Sequence, residues 1–73
     1  MKKKILAIDD EKSIRFIIEN TFNKDFEVVT MSNGMDALFY LQSGNIPDVI
    51  ICDLDMPVLN GIEFVKRLRE SGF

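Results

Sequence analysis

Acidic residues follow two apolar segments of the chain, each at the point where the apolar run stops. Asp9 and Asp10 come directly after ILAI (residues 5–8), and Asp53 comes directly after VIIC (residues 49–52). If these segments are neighbouring strands, the three carboxylates meet at one edge of a sheet. Carboxylates a few ångströms apart repel one another, so such a site calls for a cation.

The ligand types favour magnesium. All the candidate ligands are oxygens, and the chain has no histidine and one cysteine. Oxygen ligands of this kind suit Mg²⁺, with Ca²⁺ and Mn²⁺ as less favoured alternatives. A carboxylate beside such an ion can act as a nucleophile toward phosphorus and form an aspartyl phosphate. Asp53 is the best candidate, because its strand is apolar and Pro57 braces the loop that follows.

The elements that position these residues alternate between strands and helices. The apolar and β-branched runs predict strands over residues 4–9, 26–31 and 48–53. Helices are predicted over residues 12–23, from Asn33 to near Gly44, and over residues 61–71. Single helices between strands require right-handed crossovers and a parallel sheet, so the sequence predicts an α/β fold.

The apolar spacing also predicts which helix faces lie inward. In the first helix Ile14, Ile17, Ile18 and Phe22 fall on one side, and Phe16 points away from them.

The sequence also predicts a cap for the second helix and an inward face for the third. Asn33 is placed to cap the second helix with Asp36 three residues later. In the third helix Ile62, Val65 and Leu68 are predicted to face inward.

The motifs resemble the receiver domain of two-component response regulators. The resemblance lies in the acidic run Asp9-Asp10-Glu11 and in the pattern D-x-x-M-P-x-x-x-G from Asp53 to Gly61. It covers residues 1–73 but only the first three βα units of a family domain that has five. It implies a partial three-layer, flavodoxin-like fold with strand order 2-1-3, an order that is known for this family.

The resemblance also implies roles for the matching residues. Asp53 would be the phosphoacceptor, Asp10 a direct Mg²⁺ ligand, and Asp9 its partner, often through water. The loop after the third strand would complete the site, with Asp55 binding the metal through its backbone carbonyl, Met56 and Pro57 supporting the loop, and Gly61 at the start of the helix. The implied partner is a sensor histidine kinase or a histidine phosphotransfer protein that donates from phosphohistidine.

Two parts of the family pattern have no counterpart in these 73 residues: a Ser or Thr after the fourth strand and a Lys after the fifth. Lys66 belongs to the third helix and does not take the latter role. The chain is therefore expected to be a cut piece of a receiver domain in which cation binding survives and phosphorylation is impaired. The third strand would be an open apolar edge, so self-association through it is expected.

Several other interpretations remain open. The chain could be a passive truncated receiver that acts as a binding or dimerisation module. Asp53-Leu54-Asp55 is also similar to the start of haloacid-dehalogenase phosphatases, but that family prefers Thr or Val at the position of Pro57 and gives Asp9 and Asp10 no role. Asp10 could serve as an acid at a helix N-terminus, and Asp55 could be an ordinary loop acid.

Two further residues have both a structural and a functional interpretation. Cys52 is interpreted as a small hydrophobic residue and not as a redox thiol. Phe16 could dock a partner helix, or it could cover surface left by missing elements.

Composition excludes several classes of protein. A net charge of −3, from 12 acidic and 9 basic residues, argues against nonspecific nucleic-acid binding by this segment. No apolar run approaches the roughly 18 residues of a membrane span. One cysteine allows no internal disulfide. A cytoplasmic protein that is not a conventional enzyme is expected.

Overall fold

A computed structural model describes residues 2–53, 61–70 and 72 of the chain. The elements are β1 (Lys3–Ile8), α1 (Lys12–Phe22), β2 (Phe26–Met31), α2 (Gly34–Gln42), β3 (Val49–Cys52) and α3 (Gly61–Glu70). Their order is the one predicted from the sequence, and the bounds of the strands and of α1 differ from the predicted ones by no more than a residue at each end. Within the described ranges, every helix is too short or too polar to cross a bilayer.

The three strands form one parallel sheet with β1 in the centre. The strand order is β2-β1-β3, as predicted. Ile8 pairs with Met31 of β2 on one side and with Cys52 of β3 on the other. The side chains from Ile5 to Ile8 are all buried, because a central parallel strand is covered on both faces.

The main core lies between the sheet and the pair formed by α2 and α3. Its fully buried members are apolar: Leu6, Ile8, Ala37, Leu38, Leu41 and Phe64. Alternation along β1 sends Leu6 and Ile8 to this face. Helix α1 packs against β1 and β2 and contributes no residue to the cluster, which places it on the opposite face and completes a three-layer arrangement.

The apolar stripe of α1 is only partly covered. Ile18 and Phe22 are half-buried, and the Phe22 ring meets the Phe26 ring edge-to-face at 6.1 Å between centroids. Ile14 and Ile17 are exposed, and none of the residues in α1 is fully buried. Phe16 points to solvent with 67% of its surface exposed, as its position off the stripe predicts.

The predicted inward face of α3 is wrong for two of its three residues. Ile62 is 71% exposed and Val65 is also exposed, whereas Phe64 is 1% exposed and Leu68 packs against the core. Phe64 and Leu68 are four residues apart and therefore lie on one face. The helix is turned so that the aromatic ring, which has the largest apolar surface of the four side chains, enters the core.

The predicted cap of α2 is confirmed. The Asp36 backbone N–H donates to Asn33 Oδ1 at 2.8 Å, and Asn33 Nδ2 donates to Asp36 Oδ2 at 3.1 Å. The cap satisfies one of the N–H groups that the first helical turn leaves without an intrahelical acceptor.

Candidate functional site

Backbone hydrogen bonds beyond the ends of β1 and β3 place Asp9 and Asp53 at the same position along the two strands. The Asp53 N–H donates to the Ile8 carbonyl at 2.9 Å, and the Asp9 N–H donates to the Met31 carbonyl at 3.1 Å. Asp9 and Asp53 each follow one member of the pair Ile8–Cys52, so they stand side by side on adjacent strands. Adjacent strands are about 4.8 Å apart, which brings the two side chains into reach of each other.

The other end of β3 is fixed by a reciprocal pair of hydrogen bonds. The Lys4 N–H donates to Asp48 Oδ2 at 2.8 Å, and the Asp48 N–H donates to the Lys4 carbonyl at 2.8 Å. A slip of one residue in this strand would turn every side chain to the opposite face. Asp48 therefore helps to keep Asp53 at the level of Asp9.

The three acidic residues singled out in the sequence lie together. Asp9, Asp10 and Asp53 each offer one carboxylate oxygen, and these oxygens all lie within 4.8 Å of one another. Asp9 and Asp53 are half-buried, and Asp10 is exposed. Three converging carboxylate oxygens suit a hard divalent cation such as Mg²⁺, so the residues present fit the metal that the sequence predicts.

Asp9 is held at three atoms. Besides its N–H bond to Met31, its Oδ1 accepts from the Glu11 N–H at 2.9 Å, and its carbonyl oxygen accepts from Arg15 Nη1 at 2.7 Å. Neither Glu11 nor Arg15 was predicted from the sequence to hold Asp9. The available signal was the position of Arg15 on the first turn of α1, six residues after Asp9.

Asp10 does not cap α1. The N-cap residue is Glu11, and it makes no side-chain cap hydrogen bond. The interpretation of Asp10 as an acid near the N-terminus of the first helix stays open, because Asp10 lies next to the start of α1. Its carboxylate also belongs to the acidic cluster.

Cys52 stands between the core and the cluster. It is half-buried, and its Sγ lies 3.5 Å from the Asp53 carbonyl oxygen. Burial raises the pKa of the Cys52 thiol, and the negative charges of Asp53 and Asp9 raise this pKa further. The thiol is therefore neutral and poorly nucleophilic at neutral pH, in keeping with its interpretation as a small hydrophobic residue.

The remaining predicted site residues come after β3 in the sequence. Gly61 is the first residue of α3, at the predicted helix start. Asp55, Met56 and Pro57 lie outside the described residues, so the carbonyl ligand and the loop support stay predictions.

Comparison with known proteins defines the class to which this fold and site belong. The model of the response regulator receiver domain family matches residues 5–72. The chain belongs to this family and is a receiver domain of two-component signalling. Receiver domains are signalling domains, and the match includes all three clustered aspartates.

The chain is similar to particular relatives in sequence and to particular solved structures in fold. The alkaline phosphatase synthesis transcriptional regulatory protein PhoP of Bacillus subtilis is 41% identical over 72 residues, which is 97% of this chain and 30% of PhoP. The chemotaxis response regulator CheY4 of Vibrio cholerae has 41% identity and a TM-score of 0.90, over 99% of this chain and 60% of CheY4. The chain thus spans between about a third and three-fifths of these proteins.

Some of the similar solved structures contain beryllium fluoride. The response regulator TrrA of Thermotoga maritima, in complex with Mg²⁺-BeF, is 36% identical with a TM-score of 0.85, over 94% of this chain and 60% of TrrA.

Proposed function

We propose that Asp53 is the phosphoacceptor of this receiver domain and that Asp9, Asp10 and Asp53 together hold the Mg²⁺ on which the reaction depends. The observation that carries the proposal is the approach of the three carboxylate oxygens to within 4.8 Å at the carboxyl ends of β1 and β3. In open parallel sheets this edge is where ligands bind. The TrrA complex supports the proposal, since beryllium fluoride has the tetrahedral shape of a phosphoryl group.

The proposed reaction is a transfer between two side chains. An Asp53 carboxylate oxygen forms a bond to phosphorus as the P–N bond of a phosphohistidine breaks, and the imidazole nitrogen leaves with the electron pair. When bound, Mg²⁺ would offset the charge on the phosphoryl oxygens. Asp53 is suited to this attack because its backbone hydrogen bond to Ile8 fixes its position and the residue is half-buried. No separate substrate is turned over, so the domain is not a conventional enzyme.

The proposed phosphodonor is a sensor histidine kinase or a histidine phosphotransfer protein, met in the cytoplasm. The α1 surface next to the cluster offers a contact: a depression of about 240 Å³ is lined by Lys12, Arg15, Phe16, Glu19 and Thr30. An exposed aromatic ring beside polar groups is typical of interface anchors. Phe16→Ala is expected to weaken phosphotransfer from the protein donor while leaving phosphorylation by a small donor unchanged.

Intact mass spectrometry tests phosphoacceptance directly. The protein is incubated with a small phosphodonor and Mg²⁺, and one phosphate-sized adduct is expected. The adduct should disappear with EDTA and in Asp53→Asn. Asp25→Asn is the matched control, because Asp25 is an exposed carboxylate before β2, at the opposite end of the sheet.

Other outcomes of the same experiment separate the alternatives. An adduct that persists in Asp53→Asn would overturn the assignment of the phosphoacceptor. No adduct in any variant, with binding to a histidine kinase retained, would favour the passive binding module. Steady turnover of a phosphate ester that is lost in Asp55→Asn would favour the haloacid-dehalogenase alternative.

We also propose that copies of this chain associate through β3. Among the described residues β3 pairs with β1 and has no strand on its other side, and Val49 is exposed there. An apolar edge of this kind presents backbone groups to which another strand can pair. Light scattering at increasing concentration is expected to show dimers in the wild type and monomers in Val49→Lys. A concentration-independent monomer in both would contradict this part of the proposal.

A further inference from the structure

Arg15 contacts the acidic cluster through the backbone and not through a carboxylate. Its Nη1 donates to the Asp9 carbonyl oxygen at 2.7 Å, and the side chain is partly buried. We infer that Arg15 is a positioning residue that orients the Asp9–Asp10 segment for cation binding. The inference rests on the proposed function of the cluster.

The carbonyl that Arg15 holds belongs to the peptide between the two aspartates. A peptide unit is planar, so fixing its oxygen also fixes the direction of the Asp10 N–H and the path toward the Asp10 Cα. Asp10 is the exposed member of the cluster. Arg15 therefore constrains the ligand that the surrounding protein covers least.

The other contacts of Asp9 do not replace this one. The bonds to the Met31 carbonyl and from the Glu11 N–H act on the Asp9 N–H and Oδ1, upstream of the peptide that leads to Asp10. Both contacts use backbone groups of the partner residue and survive a change of side chain at position 15. Removal of the guanidinium thus affects the orientation of Asp10 selectively.

The sign of the effect distinguishes positioning from charge. A guanidinium is positive, so by charge it opposes a cation bound nearby, and its removal should tighten Mg²⁺ binding. By positioning, its removal should loosen the binding. Residues that orient metal ligands in this way typically contribute about 10–100-fold to metal affinity.

The experiment compares Mg²⁺ dissociation constants, measured by calorimetry and by NMR titration of backbone amides. Arg15→Met is expected to bind Mg²⁺ about 10–100-fold more weakly than the wild type, and Arg15→Lys, which keeps a donor, should recover part of the loss. Lys12→Met is the matched control: it removes a positive charge from the same helical turn and should leave the affinity unchanged or increase it. In EDTA, Arg15→Met should shift the Asp9 carbonyl-carbon resonance.

The outcomes distinguish failure of the proposed cation site from failure of the positioning role of Arg15. Wild type that does not bind Mg²⁺ would overturn the proposed cation site itself. Wild type that binds, together with an Arg15→Met variant that binds equally or more tightly, would overturn only the positioning role. If Arg15→Met does not fold, Arg15→Leu serves as the second neutral variant without a donor, with the same expectation.

Discussion

Repulsion between the carboxylates of Asp9, Asp10 and Asp53 should destabilise the folded protein when no cation is bound, and the isosteric substitution Asp53→Asn should remove part of this repulsion. In Asp53→Asn the amide keeps the shape of the side chain and removes one of three negative charges whose oxygens lie within 4.8 Å of one another. At that separation two unit charges repel by about 0.9 kcal/mol in water, and more where protein lowers the dielectric constant. Asp53 takes part in two such pairs, and salt screens both. We expect the variant to be more stable than the wild type by about 1–2 kcal/mol in EDTA at low salt.

Mg²⁺ should reverse this ranking. A cation that binds only the folded protein stabilises it by about 2.7 kcal/mol when its concentration is 100 times the dissociation constant. The wild type should gain this stability, while Asp53→Asn, which lacks one carboxylate, should gain much less. Asp53→Asn is therefore expected to be the more stable protein in EDTA, and the wild type the more stable one in saturating Mg²⁺.

The assay is urea unfolding followed by circular dichroism at 222 nm, with and without Mg²⁺. Asp25→Asn is the control, since it changes the net charge equally at the other end of the sheet, and it should show neither effect. Loss of the difference in 1 M NaCl would be consistent with a screened repulsion. An Asp53→Asn variant that is less stable than wild type in EDTA would refute the reasoning, because the carboxylate would then be a net stabilising group.

Four further substitutions test the fold and the surroundings of the site. Phe64→Ala should lower the free energy of unfolding by about 3–5 kcal/mol, whereas Ile62→Ala should change it by less than about 0.5 kcal/mol. Urea titration of both variants checks the orientation of α3. Similar losses of stability in the two variants would contradict that orientation. Asn33→Ala should lower the free energy of unfolding by about 0.5–2 kcal/mol, because the α2 cap is lost. The loss is measured as a shift in the thermal midpoint of unfolding. For Cys52 the raised pKa favours the folded state while the thiol is neutral, so this contribution is complete below the thiol pKa of the unfolded chain and is lost as pH rises through that of the folded one. Urea unfolding from neutral to alkaline pH should therefore show a steeper loss in wild type than in Cys52→Ala.

The meeting of Asp9 and Asp53 could be predicted from the sequence because its causes are local. Each residue follows a short apolar strand, and the carboxyl ends of adjacent parallel strands lie at one edge of the sheet. The resemblance to receiver domains added the strand order that makes β1 and β3 neighbours. The sequence left open only the register of β3 against β1, and the hydrogen bonds between Asp48 and Lys4 help to fix this register.

The orientation of α3 and the role of Arg15 depend on tertiary contacts. The four apolar residues of α3 could be combined into more than one stripe, and the cavity that accepts Phe64 exists only once α2 and the sheet have packed. The acceptor of Arg15 is a backbone carbonyl. Every residue has such a group, so the position of Arg15 six residues after Asp9 shows that the two residues are near each other but not which carbonyl the guanidinium will bind.

The most direct test of the account is whether Asp9, Asp10 and Asp53 share one divalent ion. The protein is labelled with ¹³C at the aspartate carboxylates and titrated with substoichiometric Mn²⁺, which broadens nearby resonances. The account predicts that the resonances of these three residues broaden together and recover on addition of excess Mg²⁺, while those of Asp25, Asp36 and Asp48 stay sharp. Broadening that leaves any of the three unaffected, or that is equal across all the aspartates, would contradict a shared site.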